Sequence, residues 1–124
     1  MHGGGQAVKS YIHIRDVSRG ELAILERGQV GELYHLSPDQ GVTVRSVVQL
    51  IAARLGKRLE DVSRDVGERP GQDAAYVIDS TRARTELSWR PTISFAAGSD
   101  EVVTWVEQGW PEICKQSLTY NHAA

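Results

Sequence analysis

Cysteine is almost absent from this sequence. Cys114 stands alone among 124 residues, which excludes an internal disulfide and any multi-cysteine zinc site and suits a reducing, cytoplasmic setting. A basic excess is missing as well: fourteen Lys and Arg against sixteen Asp and Glu give a net charge of −2, leaving no electrostatic footprint for nucleic acid. No apolar run approaches the roughly 18 residues of a membrane span. The start, Met1-His2-Gly3-Gly4-Gly5, has neither the charged nor the apolar region of a signal peptide. Metal-ligand spacing is lacking too, because His2, His13, His35 and His122 include no pair at the i, i+4 step that would place two ligands on one helix face. The three glycines are followed by no Gly-Lys-Ser/Thr and make no phosphate loop. His13-Ile14-Arg15-Asp16 resembles a kinase catalytic loop only superficially, and a strand running into a capped helix accounts for it better. What is present is 40% hydrophobic and 24% charged sequence, enough for one soluble domain and too little chain for two.

Along that chain, residues 1–9 read as a flexible lead-in, 10–110 as one domain and 111–124 as a tail. Ser10-Tyr11-Ile12-His13-Ile14 alternates and predicts a strand. Asp16 or Ser18 can cap the helix that follows, whose apolar side is Val17, Leu22, Ala23 and Leu25 and whose stop is Gly28. Glu32–Leu36 predicts a second strand, ended by the turn residues Ser37-Pro38-Asp39-Gln40-Gly41. Thr43 caps the clearest helix, with Val44, Val47, Val48, Ile51 and Leu55 at three- and four-residue steps and Gly56 closing it. Residues 57–68 read as a connection. Pro70-Gly71 marks a tight turn and Ala75–Ile78 a short buried strand. Asp79-Ser80 opens a helix to about Leu87, which stops before Pro91. Ser94 opens a last helix that ends near Gly109. Short strands alternating with about four helices make an α/β arrangement without a complete sheet.

One segment carries chemistry. In Glu68-Arg69-Pro70-Gly71-Gln72-Asp73 a rigid turn presents an arginine, an amide and a carboxylate together. The planar guanidinium fork matches phosphate oxygens in two-point contact, and Gln72 and Asp73 can address hydroxyl groups or a base edge. The same composition also describes a solvated surface turn.

Five segments in order resemble the carboxy-terminal part of extended short-chain dehydrogenases/reductases that act on nucleotide sugars. Lys9-Ser10-Tyr11-Ile12-His13-Ile14-Arg15-Asp16-Val17 is similar to their R-x-[FW]-[IL]-[HY]-[IV]-x-D-[VH] segment, and Gly31–Leu36 to their G-E-x-[YF]-[NH]-[IL] strand. Arg69–Asp79 resembles the R-P-G-H-D-x-x-Y-x-[IL]-D stretch of dTDP-glucose 4,6-dehydratases. Glu86–Pro91 resembles E-L-G-W-x-P with Ser88 in place of glycine, and Gly98–Trp105 the closing helix.

The resemblance implies a nucleotide-sugar-binding portion of an extended Rossmann-type enzyme. Arg69 corresponds to the arginine that contacts the pyrophosphate. Gln72 stands where the dehydratases carry histidine, Lys9 where they carry arginine, and Asp39 or Gln40 where some carry asparagine. Asp16, Trp89 and Pro91 correspond to structural positions: a cap, a core aromatic and a helix stop. NAD(P) is implied for the complete enzyme and not for this chain alone. Gly28-Gln29-Val30-Gly31 has no third glycine and lies between a helix end and a strand, unlike a dinucleotide turn. Nor is there a Tyr-x-x-x-Lys pair: the residues four positions after Tyr11, Tyr34, Tyr76 and Tyr120 are Arg15, Pro38, Ser80 and Ala124. No hydride transfer or dehydration is therefore expected from the chain alone. The expected partners are a nucleotide sugar, a dinucleotide-binding domain or chain, and a second copy. The rival expectation is a non-catalytic, self-associating module.

Overall fold

Residues 1–117 are described by the computed structural model. Three very short strands lie at its centre: β1 (Val8–Lys9), β2 (Val42–Thr43) and β3 (Ala75–Tyr76). Their order is β2-β1-β3. β1 runs antiparallel to β2, with Lys9 opposite Val42, and parallel to β3, with Lys9 opposite Tyr76. Around them stand α1 (Ile14–Arg27), α2 (Val44–Arg54), α3 (Leu59–Val62), α4 (Thr81–Glu86) and α5 (Phe95–Ile113). This is the small α/β unit that the alternation of patterns predicts.

The first strand lies two residues upstream of where it is expected. Residues 1–9, expected as a lead-in, contain a single 3-10 turn over Gly3–Gly5 and then the middle strand itself. Ser10–His13 leave the ladder because His13 already caps α1: its Nδ1 accepts the Arg15 N–H at 3.2 Å and Ile14 is the first helical residue. The alternation at 10–14 reflects packing instead. Ile12 packs on the core, and the Tyr11 ring meets Phe95 with centroids 5.7 Å apart.

Glu32–Leu36, expected as a second strand, forms none. Side chains hold that segment. Tyr34 and Leu36 pack on the core, Tyr34 Oη donates to Glu86 at 2.7 Å, and Arg82 stacks over the Tyr34 ring while pairing with Glu32 and Glu86. β3 is exposed rather than buried, an edge strand of a sheet too small to cover it.

α2 follows its sequence signals closely. The Thr43 hydroxyl accepts the Ser46 N–H at 3.1 Å, and Gly56, at φ +63°, leaves the helix in the left-handed conformation that costs glycine least. α5, capped by Ser94, runs beyond Gly109 to Ile113 with Pro111 in its last turn. Proline there, two residues before the helix ends, supplies no N–H to the Glu107 carbonyl one turn back.

The core is compact: Ala23, Ala83, Leu87 and Trp89, with Ile12, Ile24, Tyr34 and Leu36 packed against it. Gly20 makes the contact between α1 and Trp89 possible, since a Cβ there would stand 2.5 Å from Leu36 Cδ1 and 2.9 Å from Trp89 Nε1. Asp16 is not the cap of α1. It lies fully buried in the helix's first turn, and its carboxylate accepts the N–H groups of Thr92 and Ile93 at 3.1 and 3.0 Å and pairs with Arg19. The Trp89 indole N–H donates to the Asp16 carbonyl at 2.9 Å. Asp16 thus fastens the Pro91 turn, and with it the start of α5, to α1.

Candidate functional site

The site begins with a turn. The Gln72 N–H donates to the Arg69 carbonyl at 3.2 Å, with Pro70 second and Gly71, at φ +75°, third. Proline presets the first central residue and glycine alone takes the positive φ of the second without strain, the requirements of a type II turn. The turn leads directly into β3, so Arg69 is carried on a rigid arc at the sheet's edge. Arg69 and Gln72 are both exposed. The Arg69 side chain has no hydrogen bond or ion pair among the described residues, whereas most arginines here are engaged: Arg15, Arg54, Arg82 and Arg84 pair with Glu101, Asp100, Glu32 and Asp39. An unengaged guanidinium keeps its whole donor fork for an incoming anion.

Lys9 lies on the middle strand, β1, beside β3. It lies opposite Tyr76, and its ammonium stands 5.5 Å from the centre of the Tyr76 ring, within cation–π range. The ring steers the lysine across β3, the strand fed by the Arg69 turn. Tyr76 is the member of this group that local patterns do not reveal, because the pairing of residues 8–9 with 75–76 spans the whole chain between them.

Gln40 lies elsewhere. It precedes β2, which is antiparallel to β1, so it sits at the end of the sheet opposite to the one where the Arg69 turn enters. There it borders a separate concavity of about 530 Å³ together with Pro38, Val42, Pro91 and Thr92. Lys9, on the middle strand opposite both Tyr76 and Val42, lies at the Gln40 end of the sheet, whereas the turn carrying Arg69 and Gln72 enters at the other end.

The remaining residues do not fit a dinucleotide. Gly28–Gly31 follows the carboxyl end of α1, where free carbonyls and the negative end of the helix dipole face outward and repel phosphate. The Tyr34 hydroxyl is committed to Glu86 and to the Gln29 N–H. Among the described residues no three His, Cys, Asp or Glu side chains are grouped to hold a metal, and no helix is long and apolar enough to cross a membrane.

A second concavity, of about 540 Å³, runs between α2 and α5 and is floored by residues 11–14. Val47, Ile51, Leu55, Val102, Val103 and Val106 form its walls. It is a mostly apolar groove, with His13, Ser94, Ser99 and Glu107 also in its lining.

These features can be set beside known proteins. The dTDP-glucose 4,6-dehydratase of Streptomyces niveus is 33% identical over 105 residues, 85% of this chain and 31% of that protein. The solved dTDP-glucose 4,6-dehydratase of Streptomyces venezuelae, with NAD and TYD bound, superposes with a TM-score of 0.81 at 32% identity, covering 88% of this chain and 34% of that one. A UDP-glucose 4-epimerase from Thermotoga maritima, solved with UDP-glucose, gives a TM-score of 0.78 at 25% identity over 89% of this chain and 35% of that one. The chain thus spans about a third of the length of the relatives it matches. The family described as GDP-mannose 4,6 dehydratase matches residues 1–102. Matched over most of its length and following the same backbone path as these enzymes, the chain belongs to the GDP-mannose 4,6 dehydratase family.

Proposed function

We propose that the chain is the nucleotide-sugar-binding portion of an NAD(P)-dependent nucleotide-sugar 4,6-dehydratase or epimerase, with Arg69 gripping the diphosphate. The observation that carries this reading is the Arg69 turn: an unengaged arginine on a type II turn that precedes β3, the strand paired with that of Lys9, within a chain of this family. Lys9 adds a point charge to the fork of Arg69. Gln72, neutral where the resembling dehydratases carry histidine, donates to a ribose or phosphate oxygen and adds no charge of its own. Gln40 is a hydrogen-bonding group for hydroxyls at the other end of the sheet. NAD(P) belongs to the complete enzyme, whose glycine-rich turn and Tyr-x-x-x-Lys pair have no counterpart among these residues, so the chain binds without turning over.

Titration calorimetry with dTDP-, UDP- and GDP-sugars tests the assignment. Arg69→Ala is expected to weaken binding about tenfold to a hundredfold, the loss of one charge-assisted bidentate contact of about 1.5–3 kcal/mol. Equal affinity in the variant would remove Arg69 from the site.

A second reading, a self-associating module without catalysis, has one observation in its favour. Leu22 and Leu25, one turn apart on the outer face of α1, are 54% and 84% exposed, and Val30 and Leu33 beyond them are exposed as well. Apolar side chains grouped in this way mark a contact surface.

A further inference from the structure

Arg84 is the arginine whose partners lie in the loop that carries Gln40. It sits in α4, which Ala83 and, at its end, Leu87 anchor in the core. Its side chain, only 13% exposed, reaches across to residues 37–40. One guanidinium nitrogen, Nη2, donates to the Ser37 carbonyl at 3.0 Å and stands 2.8 Å from Asp39 Oδ1. Among the described residues no backbone-to-backbone hydrogen bond holds 37–40, so this side chain supplies what a ladder or a turn would otherwise supply. The far end of the loop is fixed by close packing: a Cβ on Gly41 would stand 2.6 Å from Val8 Cγ1 and 3.2 Å from the Lys9 carbonyl oxygen. Gln40 lies between these two fastenings, at the Lys9 end of the sheet.

The pair with Asp39 is poorly made as a device for stability. Arg84 Nε is buried and has no hydrogen-bond partner, and replacing a largely buried pair of this kind by an apolar side chain of similar length is often neutral for folding. Its effect at the loop is electrostatic. A free carboxylate at this end of the sheet would repel a phosphate and draw the Lys9 ammonium to itself. Held on Arg84, the Asp39 carboxylate is neutralised from the side of α4.

We infer that Arg84 is a positioning residue for the nucleotide-sugar site: by holding Ser37 and Asp39 it presents the neutral amide of Gln40, and not a carboxylate, at the end of the sheet where Lys9 lies. The inference rests on the nucleotide-sugar reading above and deepens it. Arg84 acts on the loop and not on the ligand, so its removal acts through Asp39.

The test uses the 124-residue chain, with dTDP-glucose, UDP-glucose and GDP-mannose as the probes in titration calorimetry. Arg84→Met is expected to weaken binding about tenfold, the effect of one freed charge near a surface, with a melting temperature within about 3 °C of native. Asp39→Asn alone is expected to bind within about threefold of native, and Arg84→Met combined with Asp39→Asn to return to the affinity of Asp39→Asn, the non-additivity of two groups that act through one contact. Hydrogen exchange without ligand gives a second reading. Peptides covering residues 36–43 should exchange about fivefold faster or more in Arg84→Met, while those covering α5 stay unchanged. Should Arg84→Met not fold, Arg84→Gln, which keeps a donor for the Ser37 carbonyl but no charge, takes its place in the same cycle. Native affinity in the Arg84 variant overturns the proposal. So does a double variant as weak as the Arg84 variant, since the arginine would then not act through Asp39, and so does unaltered exchange at 36–43. Binding that Arg69→Ala weakens and Arg84→Met does not would remove this proposal and leave the nucleotide-sugar reading standing. Binding of none of the three sugars by the native chain would remove that reading and this proposal with it, whatever the exchange at 36–43.

Discussion

Asp16 shows how much one buried side chain can organise. Burial works against its ionised form, yet the N–H groups of Ile93 and Thr92 and the Arg19 guanidinium outweigh that cost and hold its pKa below the usual carboxylate value. A carboxyl whose pKa falls on folding adds stability above its unfolded value, near 3.9, and loses it as the pH drops through the folded value. Asp16→Ala is therefore expected to cost about 3 kcal/mol near neutrality, because two backbone donors lose their acceptor. Between about pH 5 and pH 3 the variant's urea midpoint should fall less steeply than that of the native chain; parallel slopes would show that Asp16 is no acid-sensitive tie. Ser88 is the opposite case. It is the only described residue other than glycine with a positive φ, +53°, and it stands where the resembling motif has glycine. The geometry of that turn survives because the Trp89 N–H still closes on the Ala83 carbonyl at 3.2 Å. Ser88→Gly should raise stability by about 0.5–1 kcal/mol by releasing the left-handed strain, readable as a higher melting temperature with unchanged circular dichroism. A lower melting temperature would mean the serine side chain contributes more than its backbone costs.

At the scale of elements, the longer helices were legible; of the strands only β3 was placed, and the short α3 falls where a connection was expected. α2 could be placed almost to the residue because its signals are local: the threonine cap, the apolar stripe at helical spacing and the terminal glycine each act over about four residues. Thr43→Ala is expected to cost about 1 kcal/mol, measured by chemical denaturation; a change below a few tenths would show that packing of α2 against α5 alone holds its first turn. Strands of two residues carry no such record. β1 exists because Val42–Thr43 and Ala75–Tyr76 arrive on either side of it, an event set by residues more than thirty positions away. Within Glu32–Leu36, Tyr34 and Leu36 pack on the core while Leu33 and His35 are exposed. Whether such a segment finds a ladder depends on a free sheet edge, and that information is not local.

For the whole molecule, the number of large side chains left exposed governs behaviour. Leu22, Leu25, Val30, Leu33, Val102, Trp105 and Trp110 are all more than half exposed, around a core of a few residues, so the unit keeps contact surface in reserve. If the outer face of α1 is self-complementary, light scattering will give a mass above that of one chain at micromolar concentration, and Leu25→Glu will return it to one. A monomer at all concentrations removes the self-association reading while leaving the Arg69 site untouched. The candidate site was half legible. Arg69 and Gln72 belong to a turn whose proline and glycine announce it, and Lys9 came from the order of motifs. Gln40 also came from that order; because β2 runs antiparallel to β1, it enters at the end where Lys9 lies, away from the Arg69 turn.

What the residues determine by themselves is everything that acts over a few positions: the helices and their caps, the type II turn with its arginine, and the family to which five ordered motifs point. Tertiary structure alone decided which segments meet. It set Lys9 against Tyr76, turned the expected cap Asp16 into a buried tie, and opened the groove between α2 and α5. The physical reason is range: a cap or a turn is a bargain between neighbours in the chain, whereas a ladder, a buried carboxylate and an apolar seam exist only once distant residues have been brought into contact.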